Sequence, residues 1–101
     1  MIHIYVHYPT LKEVKKISGI LLKEKLAGCI SFINQSDIYW WKNKLVSSRG
    51  IVSLVATPKK NYKKIEKIIV KNHSYKVPCI LELPVNRAYL PYKKWLYEET
   101  K

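Results

Sequence analysis

Apolar and polar residues alternate along "MIHIYVHY", with Ile2, Ile4 and Val6 on one face and His3, Tyr5 and His7 on the other. This period of two predicts a strand with one buried side, ended by Pro9 and Thr10. The period then lengthens. Val14, Ile17 and Leu21, flanked by Ile20 and Leu22, recur at helical spacing as far as Leu26. "TLKE" has the form of a capping box, with Thr10 as N-cap and Glu13 reaching back. Gly28 is placed to close that helix. "CISFINQSDIYWWKNKLV" reads as strand, with a break or bulge near Asn34–Ser36. "SSRG" predicts a turn and "IVSLVAT" a further strand. Thr57-Pro58 reads as an N-cap followed by proline in the first helical position. Tyr62, Ile65, Ile68 and Ile69 then form the stripe of a second helix ending near Asn72. "VPCILELPV" predicts the last main strand, and Pro91 opens a short final helix carrying Tyr92, Trp95 and Leu96. The order β-α-β-β-α-β plus a C-terminal helix predicts an α+β, ferredoxin-like single domain over residues 1–101, with a long hairpin between its second and third strands.

Such a fold places one helical layer on one face of its sheet. Tyr5, Phe32 and one of Trp40 and Trp41 are expected on the other face or on the projecting hairpin. An aromatic side chain left in water there forgoes roughly 4–6 kcal/mol of burial. The sheet edges also call for partners. A second copy of the chain is therefore expected to cover this surface.

Composition adds charge to the picture. The formal net charge is +12, carried by 17 lysines and only two arginines. Arginine is the residue suited to bidentate contact with phosphates and bases. The lysines are scattered through "KEVKK", "KEK", "PKKNYKK" and "YKK", so they read as a solvated coat, and a nucleic-acid partner is not expected. The RNP pattern of aromatics that stack RNA bases is missing as well. The start of the chain lacks a signal peptide's features, and no apolar run approaches the ~20 residues that span a bilayer. The expected location is the cytoplasm, without membrane association. Cys29 and Cys79 should then be reduced, and their spacing is not that of a zinc ribbon or thioredoxin motif. No phosphate-cradling glycine loop or Ser/Cys-His-Asp set is apparent, so an enzyme is not expected.

Several stretches together resemble the CutA divalent-ion-tolerance family, essentially from end to end. They include the "YPT" turn, Ala27-Gly28-Cys29, and Tyr39, Trp40 and Trp41 within "CISFINQSDIYWWKNKL". His73, Tyr75, Val77 and Pro78 in "HSYKVPCILELPV", then Leu83-Pro84 and Tyr92 with Trp95, complete the likeness. The resemblance implies a ferredoxin-like subunit in a homotrimer held by β-pairing between subunits, and a link to copper and other divalent metals. This sequence departs from the family pattern at several positions. Ser74 stands where the family has proline, Lys76 and Cys79 where it has acidic residues, and Asn43 where it usually has glycine. Val6 occupies the place of a first-strand cysteine of some members. Fewer carboxylates and an added thiol favour a softer ion such as Cu(I) or Zn(II) over a hard one.

Cys29, His73 and Cys79 are the metal candidates, since thiolate and imidazole suit copper and zinc. In the usual strand order the two cysteines sit at opposite sheet edges, so they would meet only across a subunit interface. The alternative is that both are small buried apolar side chains, and that His73 caps the second helix. His3 and His7 are about 13 Å apart along their strand, too far to share an ion. Tyr39, Trp40, Trp41, Tyr75, Tyr92 and Trp95 are candidates to line an inter-subunit cleft, or simply to pack at an interface. The expected function is a trimeric protein of divalent-metal (copper) tolerance or response. The alternative is a PII-like trimer that senses a small molecule or a protein partner, without a physiological metal role.

Overall fold

The computed structural model describes every residue from Met1 to Lys101. β1 (Ile2–Tyr8), α1 (Leu11–Lys23), β2 (Cys29–Trp41), β3 (Lys44–Thr57), α2 (Tyr62–Asn72), β4 (Ile80–Pro84) and α3 (Leu90–Glu99) follow in that order. The strands form one antiparallel sheet in the order β2-β3-β1-β4. The ferredoxin-like expectation holds, with β2 and β4 at the two edges.

The alternation in β1 is realised residue by residue. Ile2, Ile4, Val6 and Tyr8 are buried beneath the helices, while His3, Tyr5 and His7 on the reverse face are half-buried. Val14, Ile17 and Leu21 of α1 and Ile65 and Ile69 of α2 close over that side in one core cluster. Burying each such side chain stabilises the fold by about 1.5–3 kcal/mol.

Local details depart from the sequence reading. α1 ends at Lys23 rather than near Leu26, and Gly28 does not close it. Lys25 takes the left-handed position (φ 59°). The Lys25 N–H donates to the Leu22 carbonyl and the Leu26 N–H to that of Leu21, both at 3.1 Å. This is a Schellman motif, with Leu21 and Leu26 as its apolar pair. Gly28 instead lies under α3, where a Cβ would come within 2.4 Å of Leu96 Cδ1. Half of the capping box forms: Thr10 Oγ1 accepts from the Glu13 N–H at 3.3 Å. The Glu13 carboxylate turns away and accepts from the Ser74 N–H at 3.1 Å. Thr57 does not cap α2. It ends β3, and its hydroxyl donates to the Leu26 carbonyl at 2.6 Å, while a 3-10 turn over Lys59–Asn61 leads into the helix.

The long hairpin is regular. Its pairing runs unbroken from Cys29↔Ala56 to Trp41↔Lys44, so there is no bulge near Asn34–Ser36 and no turn at "SSRG". The turn is the two-residue Lys42-Asn43, with φ of 49° and 63°. Two successive positive φ values are the signature of a type I′ turn, which matches the twist of its strands.

The unbroken register also settles the aromatic faces. Phe32 pairs with Ser53, which pairs with the core residue Val6, so Phe32 lies on the helix side and not beside Tyr5. Trp40 shares that side but stands beyond the helices, 73% exposed; Trp41 is on the reverse face and 51% exposed. Within one subunit neither indole packs inward.

Candidate functional site

The open face of the sheet carries a polar chain that links β1 and β2 over the intervening β3. Tyr5 and His7 come from β1, Gln35 and Asp37 from β2. Gln35 Nε2 lies 2.7 Å from both the Tyr5 hydroxyl and Asp37 Oδ1. Asp37 Oδ2 sits 2.9 Å from His7 Nε2. The two atoms are close, but the contact does not meet hydrogen-bond geometry, and the buried Nε2 has no other partner. Gly50 makes this placement feasible. A Cβ there would approach His7 Nε2 to 2.6 Å and the Tyr8 carbonyl to 2.4 Å. The glycine serves the close approach of an imidazole, not a turn.

A cleft of about 640 Å³ opens above this floor. One wall is the hairpin stem, with Tyr39, Trp41 and Val46; the other is the segment from Ser74 to Cys79. The volume is in the range of small-ligand pockets, and the mix of apolar walls with a few polar anchors is typical of them. The Tyr75 ring stacks near His7, centroids 6.3 Å apart. Burial pushes the Tyr75 hydroxyl up, with Tyr39, Glu13 and Asp37 adding to it. Burial also raises the Cys79 thiol, helped by Asp37.

Cys79 is the direct neighbour of His7 across the β1–β4 pair, since the His7 N–H donates to the Cys79 carbonyl at 3.3 Å. Cys79, His7 and Asp37 thus line one cleft, offering thiol, imidazole and carboxylate.

The other expected metal ligands lie elsewhere. His73 is buried at the end of α2, stacked on Tyr8 with centroids 4.9 Å apart. Its Nε2 is 2.8 Å from the His7 carbonyl, which only accepts, so Nε2 carries the proton. Its Nδ1 accepts from the Tyr75 N–H at 3.0 Å. Both ring nitrogens are engaged, and no lone pair is left for an ion. His73 is therefore a structural bridge, more than the helix cap considered as the alternative. Cys29 lies on the far edge, in β2. Both cysteines are free and exposed rather than buried apolar side chains. No three or more His, Cys, Asp or Glu side chains of one subunit gather closely enough to hold an ion.

The aromatic candidates also divide. Tyr39, Trp41 and Tyr75 border the cleft. Tyr92 and Trp95 form a pair on α3, centroids 5.7 Å apart, with Trp95 over Gly28. The Tyr92 hydroxyl is raised by burial and by nearby Cys29. Along the sequence, His7, Gln35, Asp37 and Gly50 are not joined into a site, and His7 is weighed only against His3. A lone aspartate in the middle of a β-rich run was the available signal.

With this geometry in hand, relatives can be placed beside it. The family model described as "CutA1 divalent ion tolerance protein" matches residues 2–99. The chain belongs to the CutA1 family. The CutA divalent-cation tolerance protein of Pyrococcus horikoshii is 31% identical, across 100% of this chain and 99% of that protein. Its counterpart from Archaeoglobus fulgidus is 28% identical, covering 94% of this chain and 93% of its own length. A crystal structure of a mutant CutA1 from Pyrococcus horikoshii superposes with a TM-score of 0.97 at 31% identity, over 100% of this chain and 99% of that one. The Archaeoglobus fulgidus structure, described as a periplasmic divalent cation tolerance protein, gives 0.97 at 27% identity, covering 99% and 98%. A general role in divalent-cation tolerance comes with the family. No helix of this CutA1-family chain is long and apolar enough to cross a membrane.

Proposed function

We propose that this CutA1-family chain acts as a homotrimer that binds a soft or borderline divalent-metal ion, copper before zinc, through the open-face cleft. The observation that carries the reading is that Cys79, His7 and Asp37 line one cleft, with the His7 Nε2 buried and poorly bonded beside Asp37. Thiol and imidazole are ligands that copper and zinc accept. One subunit supplies an incomplete set, so a neighbouring copy is expected to complete it. The apolar open face supports such a neighbour: Ile33, Leu81 and Leu83 remain substantially exposed beside the cleft strands. His73 is left out of the ligand set because both its nitrogens are bonded.

The role is binding rather than catalysis. The Cys79 thiol is pushed up, away from the thiolate that an activated nucleophile needs. Metal must displace its proton, so affinity should rise with pH. Two free thiols fit a reducing cytoplasm.

The test is a titration of reduced protein with Cu(I), Cu(II) and Zn(II) under a competing chelator, with native mass recorded throughout. Stoichiometric binding by a trimer, lost in Cys79→Ser and weakened in His7→Gln, is the expected result. Loss in Cys29→Ser as well would bring the two sheet edges together across the interface. A trimer without binding would shift the reading to small-molecule sensing of the PII-like kind, which the cleft's aromatic walls and volume favour. Trp41 fluorescence would then report the ligand.

A further inference from the structure

The helical side of the sheet carries a charge distribution that the cleft does not use. α1 and α2 pack as one layer. Their apolar stripes are buried, and their outer faces expose Lys12, Lys15, Lys16 and Lys23 on α1 and Lys63, Lys64, Lys67 and Lys71 on α2. Only two carboxylates belong to these helices, and both are occupied. Glu13 accepts from the Ser74 N–H, and Glu66 accepts from the Tyr62 hydroxyl at 2.7 Å. In the whole chain one lysine, Lys59, has a carboxylate within 4.0 Å, Glu82 at 3.3 Å.

Eight of the 17 lysines are thus brought onto one side by the fold, with only the carboxylates of Glu13 and Glu66 among them. Lys63, Lys67 and Lys71 stand at i,i+4 along α2, about 6 Å apart in rise. Like charges at that spacing destabilise a helix by a small amount per pair, and a polyanion laid along the row would relieve this.

We infer that the outer face of the α1–α2 layer binds the phosphate backbone of double-stranded nucleic acid without reading its sequence. Lysine is a point charge suited to phosphate. These helices bear no arginine for bidentate base contacts, and their one aromatic, Tyr62, is half-buried with its hydroxyl bound to Glu66. Phosphates of a duplex recur every ~1.7 Å of axis, so a lysine row needs no particular register. An anionic membrane fits less well, because an interfacial helix inserts a broad apolar face. Here Val14, Ile17, Leu21, Ile65 and Ile69 are in the core, and only Leu11, Leu22 and Val70 remain exposed, too few for such a face.

The full chain would be titrated with mixed-sequence duplex DNA and RNA across a salt series, and separately with phosphatidylserine-containing vesicles. The expected dissociation constant is on the order of 10⁻⁵ M at physiological salt, the same for unrelated sequences. Replacing Lys63, Lys64, Lys67 and Lys71 together by glutamine should weaken binding about tenfold or more and reduce the salt slope by about 3–4. Glutamine sustains helix well, so this variant should fold. Replacing Lys42, Lys44, Lys93 and Lys94 instead removes equal charge from the hairpin tip and α3, and should have a much smaller effect. Equal loss in both variants, no duplex binding at physiological salt, or preference for vesicles would each overturn the inference. The metal titration is independent of all of them.

Discussion

His73 and His7 are joined by one contact, from the ring of the first to the backbone carbonyl of the second. Their side chains nevertheless lie on opposite faces of β1 and differ in how they are bonded, although each has a carboxylate beside one ring nitrogen, Glu13 at 3.4 Å for His73 and Asp37 at 2.9 Å for His7. On the helix side, His73 has both nitrogens satisfied, stacks on Tyr8 and ties α2, β1 and the Tyr75 backbone together. On the cleft side, His7 faces Asp37 at 2.9 Å in poor alignment, and Gly50 lies under its ring. A fully bonded imidazole is a brace. An incompletely bonded one, buried at the floor of a cleft, retains capacity for a ligand. The residue type is the same, and the difference lies in what the backbone offers each ring.

The sharpest way to break this contrast is to remove each ring in turn. His73→Ala strands a carbonyl and an N–H and opens space beside Tyr8, and should cost about 3 kcal/mol. That corresponds to a fall in Tm of roughly 12–20 °C at fixed protein concentration. His7→Ala should cost no more than about 1 kcal/mol. Equal losses would erase the distinction between brace and ligand. Gly50→Ala comes next, at about 2 kcal/mol, because the Tyr8 carbonyl in its path is backbone and cannot swing aside. It should also displace the His7 ring, visible as a shifted imidazole resonance, while leaving that of His73 in place.

Alkali gives the smallest expected effect and bears most on the helix side. Burial pushes the Tyr8 phenol far up, and the hydrogen bond to Glu66 raises Tyr62 to about 12. Both phenols therefore ionise later in the folded chain than in the unfolded one. Above about pH 10 the unfolded chain holds fewer protons, so stability falls as pH rises, through about 12 for Tyr62 and beyond for Tyr8. Tyr8→Phe should flatten this decline in urea titrations more than Tyr62→Phe, since Tyr8 is fully buried.

The element order was legible because burial imposes a period, and β1, α1 and α2 carry theirs plainly. The punctuation between elements was not. Gly28 and Gly50 look like a helix stop and a turn residue, yet each is glycine because another side chain passes close by, a relation invisible along the chain. The positions that do need positive φ, Lys25, Lys42 and Asn43, include two lysines with no local mark of it. Glu13 kept the spacing of a capping box but had a better use in holding the Ser74 loop. Of the residues that line the cleft, Cys79, Tyr39, Trp41 and Tyr75 were singled out by type. His7 and Asp37 were not joined because they are thirty positions apart on strands that do not touch. Only the register across β3 unites them. His73 was attractive as a ligand because sequence reveals an imidazole but not what its nitrogens already hold.

The unbroken hairpin constrains how this chain can change length over generations. A single residue gained or lost in β2 or β3 would throw every pair beyond it out of step. One residue added to both arms would preserve pairing but turn the distal part over, sending Trp41 to the helix side and Trp40 to the cleft. Only insertions or deletions of two residues in each arm, matched across the ladder, leave both faces as they are. Lengths among descendants should therefore vary in steps of four residues at the hairpin, or else at the Lys42-Asn43 tip, where neither face is at stake.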